Sequence, residues 1–240
     1  MIENTTYIVL SRQDAMRRQL DIIANNIANA NTTAFKSEQL LFQEFLVDGE
    51  NGNKISFVTD IGTARDLSEG EFMRTQNPLD IAIRGSGYLI VDAPEGPRYT
   101  RNGALRVDAE GFLVSSYGYK VLDDKDKPIQ IDPNDPQLSI APDGTITGGV
   151  GPLGRLGLVT FENEQNLKQV GAGMYTTDDD PIEAEDVRIE QGMLENSNVE
   201  AILEMTRMIQ LSRSYQSAQS MVTREDDVRR RGIERLGAVG

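Results

Sequence analysis

Apolar residues recur at helical spacing at both ends of the chain and at alternating spacing between them. Near the N-terminus Val9, Met16, Ile23 and Ala30 fall seven apart, and Leu20, Ile27 and Ala34 interleave at steps of three and four. Such steps keep side chains on one helix face. Toward the C-terminus Met208, Leu211, Tyr215, Ala218 and Val222 follow the same rhythm, and Val199, Ile202, Met205 and Ile209 are expected to widen that face upstream. The stretch "ENSNVEAILEM" supplies a helix start, with Asn196, Ser197 or Asn198 available as the cap and Glu200 in the first turns. A helix over 198–235 would be roughly 55 Å long at ~1.5 Å per residue. That length suits either local two-helix packing or a coiled-coil-like pair, within one chain or between neighbouring chains.

Between the ends the pattern changes to short alternating runs separated by turn dipeptides. "IAIRGSGYLIVDA" breaks at a Gly-Ser-Gly turn, and "PRYTRNGALRVDAEGFLVSSYGYKVL" places "NG" and "EG" between runs rich in Val, Leu, Phe and Tyr. "LSIAPDGTITGG" repeats the device with "DG", and "GRLGLVTFEN" adds a further strand. Consecutive hairpins follow from such spacing, and with them a barrel or a sandwich. The expected fold class is α+β: long N- and C-terminal helices pairing as a coiled-coil-like stalk, with a central all-β (barrel or sandwich-like) domain. Expected boundaries are 1–46 (helix and following loop), 47–196 (β-rich) and 197–240 (helix).

Composition sharpens that partition. All nine prolines and nineteen of the 22 glycines lie in 47–196. The same segment carries 13 basic and 27 acidic residues, so the formal net charge of −14 belongs to it, while the two ends are close to neutral. So acidic a chain lacks the basic footprint that nucleic-acid binding needs. It has no cysteine and no histidine, which removes thiolate chemistry, the commonest general base and the commonest zinc ligand. No run of about 18 apolar residues suggests a membrane span, and the opening "MIENTTYIVLSRQ" is not expected to act as a cleaved leader.

Candidate chemical motifs fail in their contexts. "GVGPLG" has the glycine spacing of a dinucleotide loop, but Pro152 interrupts it and a strand-like run follows where a helix is needed. "DDKDKPIQIDPNDP" lacks the glycine and glutamate positions of a calcium loop, and "TTDDDP" reads as a solvated acidic turn. The Arg229–Arg230–Arg231 run suits a helix C-terminus. No catalytic, cofactor-binding or metal-binding residue is singled out.

One stretch stands apart. "IANNIANANTTAF" spends four asparagines near the end of the first helix, although asparagine competes for backbone hydrogen bonds and weakens helices. Asn29 and Asn31 suit a left-handed turn at the helix end, whereas Asn25 and Asn26 suit hydrogen bonding between closely packed subunits. "LDIIANNIANANTTAFKSEQLLFQEFL" resembles the N-terminal signature of the bacterial flagellar rod and hook family, in which an "ANNIAN" core leads through a Thr/Ser turn to an aromatic–lysine pair. Here these are Ala24 to Asn29, Thr32–Thr33 and Phe35–Lys36. "NPLDIAIRGSGYLIV" and "YTRNGALRVDAEGFLV" look like that family's central segment, and "QGMLENSNVEAILEMTRMIQLSRSYQSAQSMV" looks like its C-terminal signature. Three motifs in order over some 200 residues make the resemblance specific. Chain length and "GTARDLSEGEFMRTQNPLDIAI" bring it nearest to the proximal-rod members.

The resemblance implies a structural subunit of the flagellar basal-body rod, crossing the periplasm, that transmits torque from motor to hook. It implies terminal helices polymerising in an inner tube and a β domain outside. It also implies type III flagellar export without signal cleavage, and partners that are copies of itself, other rod and axial proteins and the export apparatus. The expected polymer interface is Leu20, Ile23, Asn25, Asn26, Ile27, Asn29, Met208, Leu211, Tyr215 and Val222. The alternatives are a distal-rod or other axial member of the family, a secreted β-rich binding module, and a soluble coiled-coil adaptor.

Overall fold

The computed structural model describes residues 2–48, 54–132, 138–149, 151–184 and 186–237. Contacts divide the chain into two compact units, each assembled from separated segments. Unit one comprises Met1–Ala28, Glu38–Asp66 and Glu200–Gly240, and unit two comprises Asn29–Ser37 and Leu67–Val199. No helix among the described residues is long and apolar enough to cross a membrane.

Unit one contains helix α1 (Ile2–Ala28), strands β1 (Glu38–Asp48) and β2 (Lys54–Arg65), and helix α2 (Ala201–Gly237). The strands form an antiparallel hairpin in register from Glu38–Arg65 to Asp48–Lys54. The register shifts between Leu41 and Phe42. Gly62, opposite Leu41, takes φ +138°, a conformation that glycine adopts without strain. Strand β1 therefore begins inside the segment expected to be helix and loop.

The coiled-coil-like stalk does not form. Helix α1 packs on the hairpin strands β1 and β2 as well as on α2, so the two helices are part of a mixed helix–hairpin unit. The two stripes on α2 also diverge. Glu204 is buried and Met208, Leu211, Tyr215 and Ala218 are half-buried along one face. Ile202, Met205 and Ile209 are instead 83, 50 and 55% exposed. At 3.6 residues per turn these three lie roughly 130° round the helix from that face. The heptad pattern detected apolar positions correctly but merged two faces into one.

Unit two is antiparallel β structure in several sheets. Its largest sheet runs in the order Lys168–Gly171, Met174–Thr176, β6 (Gly96–Thr100), β5 (Tyr88–Ala93), Lys120–Val121, Leu113–Ser115 and Leu105–Val107. Leu158–Thr160 also pairs with β5. Among the described residues the sheet path is open at both ends, so of the expected barrel or sandwich-like forms the closed barrel is not made. Strand β3 (Phe72–Arg74) pairs with Met193–Glu195, and strand β4 (Ile81–Arg84) pairs with Arg188–Gln191. The "GVGPLG" glycines fall in the hairpin of Thr145–Gly148 and Gly151–Arg155, with no helix following.

Strand β5 separates two cores. Its first four residues are all buried, and alternate side chains point to opposite faces. Leu89 and Val91 enter a core with Ile81, Ile83, Leu113, Val121, Ile146 and Leu156. Tyr88 and Ile90 enter a second core with Tyr99, Phe161 and Tyr175. In the latter, Tyr99 meets Phe161 edge-on at 4.8 Å and Tyr88 meets Tyr175 at 5.9 Å, a geometry that aromatic quadrupoles favour.

Gly103 shows how tightly the first core is closed. A Cβ there would sit 1.9 Å from the Ile81 carbonyl oxygen, and the Gly103 carbonyl accepts from Ile81 N at 3.0 Å. Gly103→Ala should destabilise the protein by about 3 kcal/mol, the upper end of overpacking costs. Gly154→Ala, with nothing within 4 Å of the new methyl, should change stability by less than about 1 kcal/mol. Denaturant midpoints compare the two, and equal losses would contradict the close approach.

Candidate assembly surface and a buried charge cluster

Three charged side chains meet inside unit two, each almost inaccessible: Lys36 at 3%, Arg101 at 5% and Glu195 at 1%. Oε1 of Glu195 accepts from Lys36 Nζ at 2.6 Å and from Gly70 N at 3.0 Å. Oε2 accepts from Arg101 Nε at 3.3 Å and Nη2 at 3.2 Å. Both cations also donate to main-chain carbonyls. Lys36 Nζ donates to Ser68 O at 2.6 Å, and the Arg101 fork donates to the carbonyls of Ile83, Gly85 and Gly87 at 2.8–3.1 Å.

Local backbone conformation delivers these groups. Past the end of α1, Thr32 N donates to Asn29 O and Phe35 N to Thr32 O, while Thr32 Oγ1 donates to Asn29 Oδ1 at 3.1 Å. These right-handed turns continue to Ala34, which takes φ +56°. The left-handed residue is therefore Ala34, and neither Asn29 nor Asn31 adopts that conformation. Reversal at Ala34 aims its N–H at Glu195 O, 2.8 Å away, and brings Lys36 to the carboxylate. Asn198 accepts from Ser37 N at 2.8 Å and donates to Ser68 O at 3.1 Å, and Ser197 Oγ accepts from Val199 N just before α2.

Burial would raise the Glu195 pKa, but Arg101 and the Lys36 bond outweigh it and hold the carboxyl below its usual 4.5. Burial pulls Lys36 below its usual 10.5, against the attraction of Glu195. The second core has its own perturbed group: burial raises the Tyr88 hydroxyl, which donates to Glu164 Oε2 at 2.7 Å.

Unit one holds nine of the ten expected interface residues. Asn26 is 2% exposed, and its amide clamps the start of β1. Its Oδ1 accepts from Glu38 N and its Nδ2 donates to Glu38 O, both at 2.9 Å. Its Nδ2 also reaches Glu204 Oε2 of α2 at 3.5 Å. A strand of the same chain supplies partners for this amide. Ile23 is buried beside it in sequence, Leu20 and Ile27 are half-buried, and Asn25 is exposed. Met208, Leu211 and Tyr215 are half-buried on α2, and the Val222 side chain lies outside the described residues. Asn29 belongs to unit two. Sequence reasoning missed Ile202, Met205 and Ile209 as an uncovered stripe, and missed the charge cluster altogether. Lys36, Arg101 and Glu195 each stand in a quoted motif, but nothing local marks them as mutual partners.

Apolar helix surface left uncovered among the described residues is the kind of surface through which proteins associate. Three family models match in chain order. "Flagella basal body rod protein" matches residues 7–36, "Flagellar hook protein FlgE/F/G D1 domain" residues 82–148, and "Flagellar basal body rod FlgEFG protein C-terminal" residues 190–235. Each matched segment contributes one member of the charge cluster. Among curated relatives, flagellar basal-body rod protein FlgF of Caulobacter vibrioides is 39% identical, over 99% of this chain and all of its own length. FlgF of Mesorhizobium japonicum is 32% identical over 99% of both chains. FlgG of Bacillus subtilis is 30% identical over 92% of this chain and 95% of its own. The chain belongs to the flagellar basal-body rod protein family, and its similarity is of the FlgF kind.

Removing one partner from a buried ion cluster leaves uncompensated charge, at a cost of about 3–5 kcal/mol. Glu195→Gln should lose stability of that order at pH 7, measured by denaturant unfolding. A carboxylate held low in the folded state contributes stability that is fully present above its unfolded value and lost as pH falls through its folded value. The gap between wild type and Glu195→Gln should therefore narrow below about pH 4.5. A gap constant from pH 7 to pH 3 would contradict the depressed pKa. Asn26→Ala should cost about 1–3 kcal/mol, because it strands the Glu38 amide and carbonyl, and should speed hydrogen exchange at Glu38.

Proposed function

We propose that this chain is a structural subunit of the proximal flagellar rod. It polymerises through its terminal segments with copies of itself and with other rod and axial proteins, and so carries torque from motor to hook. The observation that carries this reading is the uncovered stripe Ile202, Met205 and Ile209 on a 37-residue helix, in a chain of the rod family. Apolar surface aligned along a helix gains by burial against a neighbour, at about 25 cal/mol per Å². The polymer contacts assigned here are Leu20, Asn25 and Ile27 of α1, Asn29 beyond it, and Met208, Leu211, Tyr215 and Val222 of α2, together with the exposed stripe. Ile23 and Asn26 support this surface from inside unit one.

The segment 47–196 contributes little attraction between like copies, since its 27 acidic and 13 basic residues repel one another at low salt. Its role is to form the outer part of the subunit. Delivery runs through the flagellar export apparatus without a cleaved signal, and the subunit resides in the basal body. No catalytic step, metal or cofactor enters this function.

The test is incorporation. Ile209→Asp should leave the isolated protein's stability within about 0.5 kcal/mol, because the site is exposed, yet abolish entry into purified basal bodies and motility. Asp124→Lys is the control in the acidic unit and should leave both intact. It is preferred to a change at Asp123, whose carboxylate accepts from Lys125 N and Lys127 N and shapes its own turn. Normal incorporation of Ile209→Asp, with loss of assembly in Asp124→Lys, would move the interface to the other unit.

A further inference from the structure

We propose that residues 188–198 are a closing strap for unit two, with Glu195 as its latch. The unit reaches native packing only when this strap is seated, so a chain made from its N-terminus remains open until residue 198 is available.

The strap is bound along its whole length by segments distant in sequence. Arg188–Gln191 pairs with β4, whose Ile81 and Ile83 are fully buried. Among the described residues the strap is the only ladder partner of β4. Ile189 is itself 2% exposed within the first core. Gly192, at φ +75°, turns the chain: its N–H donates to Asp80 O at 2.7 Å and its carbonyl accepts from Thr75 N at 2.9 Å. Met193–Glu195 then pairs with β3, and Asn196 N donates to Glu71 O. Gly70 lies so close that a Cβ there would stand 2.0 Å from Asn196 O.

Without the strap, three deficits coincide. Strand β4 loses its ladder while carrying core side chains. The Ala34 N–H loses its acceptor. Lys36 and Arg101 keep their carbonyl partners but lose the only anion that lies within salt-bridge distance of them among the described residues. Two desolvated cations without a counter-charge oppose closure of the interior that holds them. The N-terminal and C-terminal parts of the unit are thus conditional on one another through a single carboxylate. Since chains are synthesised N-terminus first, the strap and its latch arrive last.

Native-state hydrogen exchange on the full chain tests this. In wild type, the strap amides of Ile189 and Asn196 should open together with the core amides of Leu113 and Leu122, with protection factors within about threefold of each other. Strap amides exchanging more than about 30-fold faster than the core amides would overturn the proposal, because the strap would then open alone. Glu195→Gln should accelerate strap and core exchange by one common factor, at least about 100-fold. Acceleration confined to 193–198 and 34–37 would also overturn it. Glu183→Gln, which breaks only an exposed pair with Arg155, should leave all four amides unchanged. If Glu195→Gln does not fold, the wild-type comparison decides the matter.

Discussion

One carboxylate governs how unit two can exist. Glu195 is 1% exposed and faces two cations that are equally shielded from water. Desolvating three ions is costly in isolation. It becomes tolerable because Lys36 and Arg101 donate both to the carboxylate and to the main-chain carbonyls of Ser68, Ile83, Gly85 and Gly87. The cluster also fixes register. Hydrophobic side chains of similar size could slide past one another, but a carboxylate with four directed hydrogen bonds admits one placement of the segments that carry it.

Unit one uses a milder version of the same device. Asn26 presents one acceptor and one donor to the two backbone groups of Glu38, and so settles where β1 starts relative to α1. A neutral amide suffices because each of its groups is paired, whereas an unpaired one would cost about 1–3 kcal/mol. In both units polar groups specify position, and apolar burial supplies most of the stability. Strand β5 illustrates the division of labour. Its alternating residues feed two separate cores, and those cores by themselves would not determine which strand approaches β4.

Membership of the rod family gives these features a common setting. The three family models match separated segments, and in this chain each of those segments carries one charge of the same cluster. Loss of the segment that carries Glu195 would leave Lys36 and Arg101 as buried cations without a counter-charge. The uncovered stripe on α2 is a different kind of feature. Nothing within the described residues covers it.

Much was legible in the sequence because it depends on neighbours along the chain. Helical periodicity and freedom from proline marked the two terminal helices, and "EG" and "DG" marked hairpins that form between Leu105–Val107 and Leu113–Ser115 and between Ser139–Ile140 and Thr145–Gly148. The confinement of net charge to 47–196 was equally plain. Only the tertiary structure decided what each face meets. Periodicity shows that Ile202, Met205 and Ile209 are apolar, but not that they lie outside the packed face of α2. It cannot show that Asn26 clamps a strand twelve residues away, or that Lys36 and Glu195 join across 159 residues. Local pattern records the chemistry of a side chain, whereas its partner is chosen by long-range closure, for which a single chain carries no short-range signal.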